Sequence, residues 1–157
     1  MPKKKEEEEG IKVLSVNRKA RFNFAITESF ECGIELRGTE VKSMKEGRFS
    51  YADAFATVDR EQLWLVDFHI SPYSHGNINN HDPLRRRRLL VHKKEIHRLG
   101  RVTNEKGLTL VPMRFYLKRG FVKCELAIAK GKKLFDKRED IKRRDVRREI
   151  ERDFKDR

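Results

Sequence analysis

The chain has 157 residues, room for one domain with appendages, and carries 38 Lys or Arg against 25 Asp or Glu, a formal net charge of +13. That surplus points to a polyanion as partner, most often nucleic acid, and no stretch approaches the ~18 apolar residues of a membrane-spanning helix, so no membrane partner is expected. Cys32 and Cys124 lie in apolar alternating segments without a C-x-x-C partner, which fits buried thiols in a reducing cytoplasm better than a disulfide or a zinc knuckle.

Residues 1–11 open on Lys-Lys-Lys-Glu-Glu-Glu-Glu with no apolar signal region and are expected to form a flexible charged arm. Residues 12–129 carry the strand-like patterning of a folded domain. Asn17-Arg18-Lys19-Ala20-Arg21-Phe22-Asn23-Phe24 mixes cations and amides with aromatics, a combination that grips phosphates while offering a π-face or an amide to a base. From Phe24 to Leu36 the chain reads as extended, with Phe30, Cys32 and Ile34 recurring at period two opposite Glu31, Gly33 and Glu35. Thr39 to Gly47 has the start and stop signals of a short helix.

Ala54 to Val58 and Gln62 to Phe68 are β-prone runs joined by Asp59-Arg60-Glu61, the signature of a hairpin. Ser71 to Pro83 is a polar loop, and it delivers four consecutive cations, Arg85 to Arg88, which would repel one another unless an anion sits nearby; a phosphate backbone is the expected one. Lys93 to Leu99 reads as a second short helix ending at Gly100. Leu108 to Leu117 and Phe121 to Ala129 form another hairpin pattern around Lys118-Arg119-Gly120, with Phe121, Lys123 and Glu125 alternating against Val122, Cys124, Leu126 and Ile128. Five or more strands with short interposed helices predict a mainly β protein, an oligonucleotide-binding-type closed β-barrel with short flanking helices.

Residues 130–157 form a basic tail, with thirteen Lys or Arg against eight Asp or Glu. Asp136 with Glu139 resembles an N-cap with its capping-box mate, and Glu139–Arg143, Asp140–Arg144, Arg147–Glu151 and Glu151–Lys155 are opposite charges at i, i+4. Val146, Ile150 and Phe154 make a single apolar row, too thin to hold a helix on a core. The tail is therefore expected to be disordered alone and helical on a large, negatively charged surface.

Signs of catalysis are poor. No Gly-x-x-x-x-Gly-Lys-Ser/Thr loop is present, and His69, His75, His81, His92 and His97 lack H-x-x-x-H spacing, so neither a metal nor a cofactor is expected. Glu31 and Glu35 on one strand face are the only candidate acid/base pair; they underlie a rival reading as a metal-dependent RNA-cleaving or RNA-modifying enzyme.

At these residues the chain resembles the SsrA-binding protein (small protein B) family. The resemblance spans Val16 to about Arg143 and rests on five segments. They are Asn17 to Arg21, Phe30-Glu-Cys-Gly33, Leu36 to Ser43, Asp82-Pro83 with Arg85 to Leu90, and Ala129-Lys-Gly-Lys-Lys133 followed by Asp136-Lys-Arg138. It implies a barrel that binds the tRNA-like domain of transfer-messenger RNA without catalysis of its own, acting as a cytoplasmic monomer that delivers this RNA to stalled ribosomes. Asn17, Lys19, Glu31, Gly33, Leu90 and His92 would face the RNA, joined by Arg21, Lys42, Arg87 and Arg88. A carboxylate at Glu31 suits a base amino group or a ribose hydroxyl. Lys130, Gly131, Lys132, Lys133, Phe135, Asp136, Lys137 and Arg138 would meet the ribosome. By the same resemblance the tail would lie in the empty messenger channel up to the decoding centre, a span that a ~20-residue helix of ~30 Å covers.

Overall fold

Antiparallel pairing organises most of the chain. The computed structural model describes residues 10–51, 53–75, 80–132 and 134–155, with backbone alone at 105–106 and 134–136. In chain order the elements are β1 (Ile11–Val16), α1 (Arg18–Asn23), β2 (Phe24–Ile34), α2 (Gly38–Lys45), β3 (Phe49–Ser50), β4 (Phe55–Asp59) and β5 (Gln62–Val66). They continue with β6 (His69–Ile70), β7 (Arg87–Leu90), α3 (Lys93–Lys106), β8 (Thr109–Lys118), β9 (Phe121–Gly131) and α4 (Leu134–Lys155). The order β1-β8-β4-β5-β7-β2-β9, with β9 also paired to β8, makes a closed ring of six strands with β1 laid on β8. A two-stranded sheet of β3 and β6 stands beside it. The ladder takes in Ile11, which was expected in the arm, and runs on through Lys130 and Gly131, which pair with Ala25 and Phe24. The pleat continues as long as a partner strand is there to accept it.

Both expected hairpins form with two-residue turns. Arg60 and Glu61 have φ of 49° and 62°, Arg119 and Gly120 have 53° and 83°, and positive φ at both central positions matches the right-handed twist of the flanking strands. The period-two reading of β2 also stands: Cys32 and Ile34 are buried, Phe30 packs against the core, and Glu31 and Glu35 are exposed. Inside the ring lie Leu63, Leu65, Leu89, Leu110 and Leu126, all but inaccessible, and Met44 from α2 closes over them. Phe68 and Phe115 stack with centroids 4.7 Å apart, and Phe49 and Tyr51 pack around them. Tyr51 donates to the Ser15 carbonyl at 3.1 Å, and burial pushes its hydroxyl up to about 12. Cys32 and Cys124 face each other across β2 and β9 as free buried thiols, the Cys32 thiol donating to the Cys124 carbonyl at 3.4 Å.

Two sequence expectations are corrected. The helix from Lys93 does not stop at Gly100 but runs to Lys106 and ends at Gly107, whose φ of +60° is a left-handed C-cap. A mid-helix glycine costs only about 1 kcal/mol. Gly100 lies against Val58 of β4, a Cβ there standing 3.6 Å away at ordinary contact distance, and the burial of Ile96 and Leu99 on the core carries the helix through it. The second correction concerns Arg85 to Arg88, whose anions are carboxylates of the chain itself. Arg86 pairs with Asp59 at 3.2 Å and lies over the Trp64 ring, and Arg88 pairs with Glu35 at 2.9 Å. Arg85 and Arg87 both bond to Glu40, and Arg87 and Glu40 are wholly buried. Arg87 also donates to the Phe68 carbonyl at 2.6 Å and the Pro83 carbonyl at 3.1 Å. It is a structural residue, out of reach of any RNA.

Burial raises the Glu40 carboxyl, but the Arg37 N–H and the Arg85 and Arg87 guanidinium groups outweigh it and hold the group below the usual carboxylate range. A carboxyl depressed on folding contributes stability that is present above its unfolded pKa and is lost as pH falls through its folded value. Glu40→Ala should cost about 3–5 kcal/mol, because it strands a buried guanidinium. Asp59→Ala, at a half-exposed pair, should cost about 0–1 kcal/mol. Urea unfolding of the two variants beside the parent checks the contrast, and in the parent the Glu40 contribution should fade only at acid pH.

Candidate nucleic-acid interface

The ring closes between β2 and β7 through just two register pairs, Gly33 with Leu90 and Ile34 with Leu89. Alternation on β7 sends Arg87 and Leu89 inward and turns Arg88 and Leu90 outward. Leu90 lies directly over Gly33, where an added Cβ would stand only 3.2 Å from the Leu90 Cβ. A side chain at Gly33 would thus crowd Leu90, so what favours glycine here is close approach rather than its backbone angles. On its other side Gly33 pairs with Lys123 of β9, so Leu90, Gly33 and Lys123 form one outward row across three strands.

This row borders an open cleft of about 520 Å³ that also takes in Glu28, Glu31, His92, Glu95 and Arg98. His92 is the N-cap position of α3 but makes no capping bond, and it is exposed. Glu31 accepts a hydrogen bond from the Tyr116 hydroxyl at 2.5 Å and lies 3.5 Å from the Lys118 ammonium. The Tyr116 bond, with help from Lys118 and Lys123, holds its carboxyl below the usual range against the opposing effect of partial burial. Tyr116 moves the other way, raised by burial and by its bond to Glu31. Arg98 forms a bidentate pair with Glu28 at 2.9 and 3.0 Å and also bonds Glu95 at 3.0 Å. The cleft thus offers an ionised acceptor, an imidazole, cations and an apolar shoulder, a mixture suited to base edges, ribose hydroxyls and phosphates. Glu31 and Glu35 do not work as a pair: the first is bound to Tyr116, the second to Arg88.

The expected RNA-facing residues do not all meet here. Asn17 is buried and caps α1, its Oδ1 accepting from the Ala20 N–H at 3.2 Å while its Nδ2 donates to the Pro112 carbonyl at 2.9 Å. With Lys19 it lines a second cleft, about 600 Å³, together with Gly131, Lys132 and Lys137 from the base of the tail. Arg21 borders a neighbouring cleft with Lys132. Lys42 stands apart on α2, its ammonium 5.3 Å from the Tyr73 ring centre, and Arg88 is tied to Glu35.

Lys130 and Arg138 are exposed, whereas Lys133 and the side chains of Phe135 and Asp136 lie outside the described residues. α4 is one 22-residue helix. Its first turns rest on α1: Lys132 bonds Asp140 and donates to the Arg21 carbonyl at 3.1 Å, and Lys137 and Arg144 lie over the Phe22 ring at 6.0 and 5.6 Å. Beyond them Ile141, Val146, Ile150 and Phe154 are 45–76% exposed.

Lys123, Tyr116 and Arg98 were not singled out from sequence. Lys123 was legible in principle, since it shares the outward phase of β9 with Phe121 and Glu125. For Arg98 the local signal is the Glu95 pair at i, i+3, but its bidentate partner Glu28 is 70 residues away and carries none.

The family described as SmpB protein matches residues 14–156. An SsrA-binding protein from Caldanaerobacter subterraneus subsp. tengcongensis is 55% identical over 156 residues, covering 99% of this chain and 97% of that protein. The SsrA-binding protein of Bacillus subtilis (strain 168) is 54% identical over 145 residues, covering 92% and 93%. A solved structure described as "tmRNA-SmpB: a journey to the center of the bacterial ribosome" is 44% identical with a TM-score of 0.65, covering 76% of this chain and 85% of that one. These relatives are named for what they bind, not for a reaction.

Since Tyr116 supplies the largest stabilisation of the Glu31 carboxylate, Tyr116→Phe should raise the Glu31 pKa toward the ordinary glutamate value. A carbon-13 NMR pH titration of the side-chain carboxyl in both proteins measures this, and an unmoved Glu31 would remove the basis for treating it as a pre-set anionic acceptor.

Proposed function

This chain belongs to the SmpB family, and we propose that it is a non-catalytic adaptor that binds the tRNA-like domain of transfer-messenger RNA and delivers it to stalled ribosomes in trans-translation. The observation that carries this reading is the assembly of Glu31, Gly33, Leu90 and His92, far apart in sequence, into one cleft on a chain of net charge +13. We read the closed ring as an oligonucleotide-binding-type barrel, an architecture that displays a strand face to nucleic acid. The cleft holds the RNA, Glu31 accepting a hydrogen bond from a base or ribose and Leu90 supplying apolar contact.

The second cleft is the ribosomal side. Asn17, Lys19, Gly131, Lys132 and Lys137 converge there, and α4 leaves from it. Twenty-two helical residues span about 33 Å at 1.5 Å per residue, enough to lie along a vacant messenger channel and report that no codon is present. Its alternating charges suit an RNA-lined passage, and its exposed apolar row gives it a face to order against the wall. The partner places the work in the cytoplasm.

Deleting residues 133–157 should separate binding from rescue. The cut falls there because Lys130 and Gly131 belong to the β9 ladder, and removing them would disturb the ring. The shortened chain should bind the tRNA-like RNA nearly as the parent does, yet fail to support peptide tagging in a reconstituted translation system. Glu31→Ala and Leu90→Asp should do the reverse, weakening RNA binding roughly tenfold or more with an unchanged melting temperature, as both side chains point out of the core. Tagging by the shortened chain at the parent's rate would refute the role given to the tail.

A further inference from the structure

Among the described residues, Phe121 is the most exposed large apolar side chain that this account leaves without a task. Phe121 opens β9 and is 72% exposed. The two-residue turn before it fixes its direction, and strand alternation puts it on the same outward face as Lys123. Between Phe121 and Leu90, itself 45% exposed, lies a slot of about 210 Å³ floored by Gly33, Leu36 and Val41. Slot and RNA cleft share Gly33, Leu90 and Lys123, so the two are continuous across the Gly33–Leu90 closure. An exposed phenyl ring beside an aliphatic side chain, with Lys123 lining the slot and Lys118 in register with Phe121, suits a flat, uncharged heteroaromatic group attached to an anionic chain.

We propose that this slot takes one unpaired base of the bound RNA, stacked on the Phe121 ring and backed by Leu90, with the adjoining phosphate directed to Lys123. The inference rests on the adaptor reading above and deepens it. It divides the contact surface in two: the Glu31 cleft reads polar edges, and the Phe121 slot selects an RNA that has a base free to leave its stack. A fully paired helix offers no such base, so the slot favours a folded RNA with an exposed loop over a plain duplex.

The test uses the full chain and a transcript of the tRNA-like domain of transfer-messenger RNA, with affinities measured over a range of salt. Phe121→Ala should bind about tenfold more weakly at every salt concentration, leaving the log-log salt slope unchanged because no phosphate contact is lost. Phe121→Trp should retain the parent affinity, and Phe121→Leu should fall between, since it keeps apolar area but has no π-face. Melting temperatures should be unchanged in all three. Parent affinity in Phe121→Ala would overturn the proposal, as would Phe121→Leu binding as tightly as the parent, which would mean simple apolar contact. If Phe121→Ala keeps full RNA affinity but loses binding to ribosomes, the slot holds a protein or ribosomal surface and the proposal is wrong. Failure of the parent chain to prefer this transcript over an unrelated duplex would bring down the adaptor reading itself, an outcome visible before any variant is compared.

Discussion

The buried contact of Glu40 with Arg85 and Arg87 is the constraint on which the arrangement of this molecule depends. It joins α2 to β7 through opposite charges that are both cut off from solvent, with the Phe68 and Pro83 carbonyls and the Arg37 N–H completing their hydrogen bonds. A buried ion pair of this kind adds little net stability compared with apolar packing, but removing one partner is costly. Its effect is therefore on register. With Arg87 held inward, β7 has only one phase open to it, and a slip by one residue would drive Arg88 and Leu90 into the core and expose Leu89.

That phase determines the surface. Leu90 must face outward at the point where the ring closes, and it meets Gly33 there, where an added Cβ would stand only 3.2 Å from its own. The closure is short, two register pairs, and one face of it is the shoulder of the cleft to which RNA binding is assigned. Fold and recognition thus share the same few residues. The acidic members of the cleft follow a similar logic: Glu31 and Glu28 are each held by a donor from a distant element, Tyr116 and Arg98, so they are pre-positioned as acceptors instead of being free charges that would repel a phosphate backbone.

The tail is governed by a different balance. Its i, i+4 charge pairs and the contacts of Lys132, Lys137 and Arg144 with α1 favour a helix, while the row from Ile141 to Phe154 finds nothing to cover it among the described residues. An element anchored at one end and apolar but uncovered along its length is suited to ordering against a second surface. The anchor lies in the cleft formed by Asn17, Lys19 and Lys132, so residues that look like one basic patch in sequence divide between two clefts, one lined by the start of α1 and one by the outer row of β2, β7 and β9.

Much of this was legible in the sequence because it depends on local periodicity. The alternation of Phe30, Cys32 and Ile34, the two hairpins and their turn residues, the helical charge pairs after Asp136 and the basic surplus all follow from spacing, and spacing is a property of the chain alone. What periodicity could not reveal was where each charge would find its partner. Four consecutive arginines read as a phosphate site, yet Glu40, Asp59 and Glu35 are brought to them by α2, by the β4–β5 turn and by the end of β2. Gly100 read as a helix stop, yet the helix runs on past it against Val58 of β4. Long-range pairing of charges and close approach of backbones are decided by the closure of the ring, because only there do residues separated by tens of positions compete for the same space and the same counter-charge.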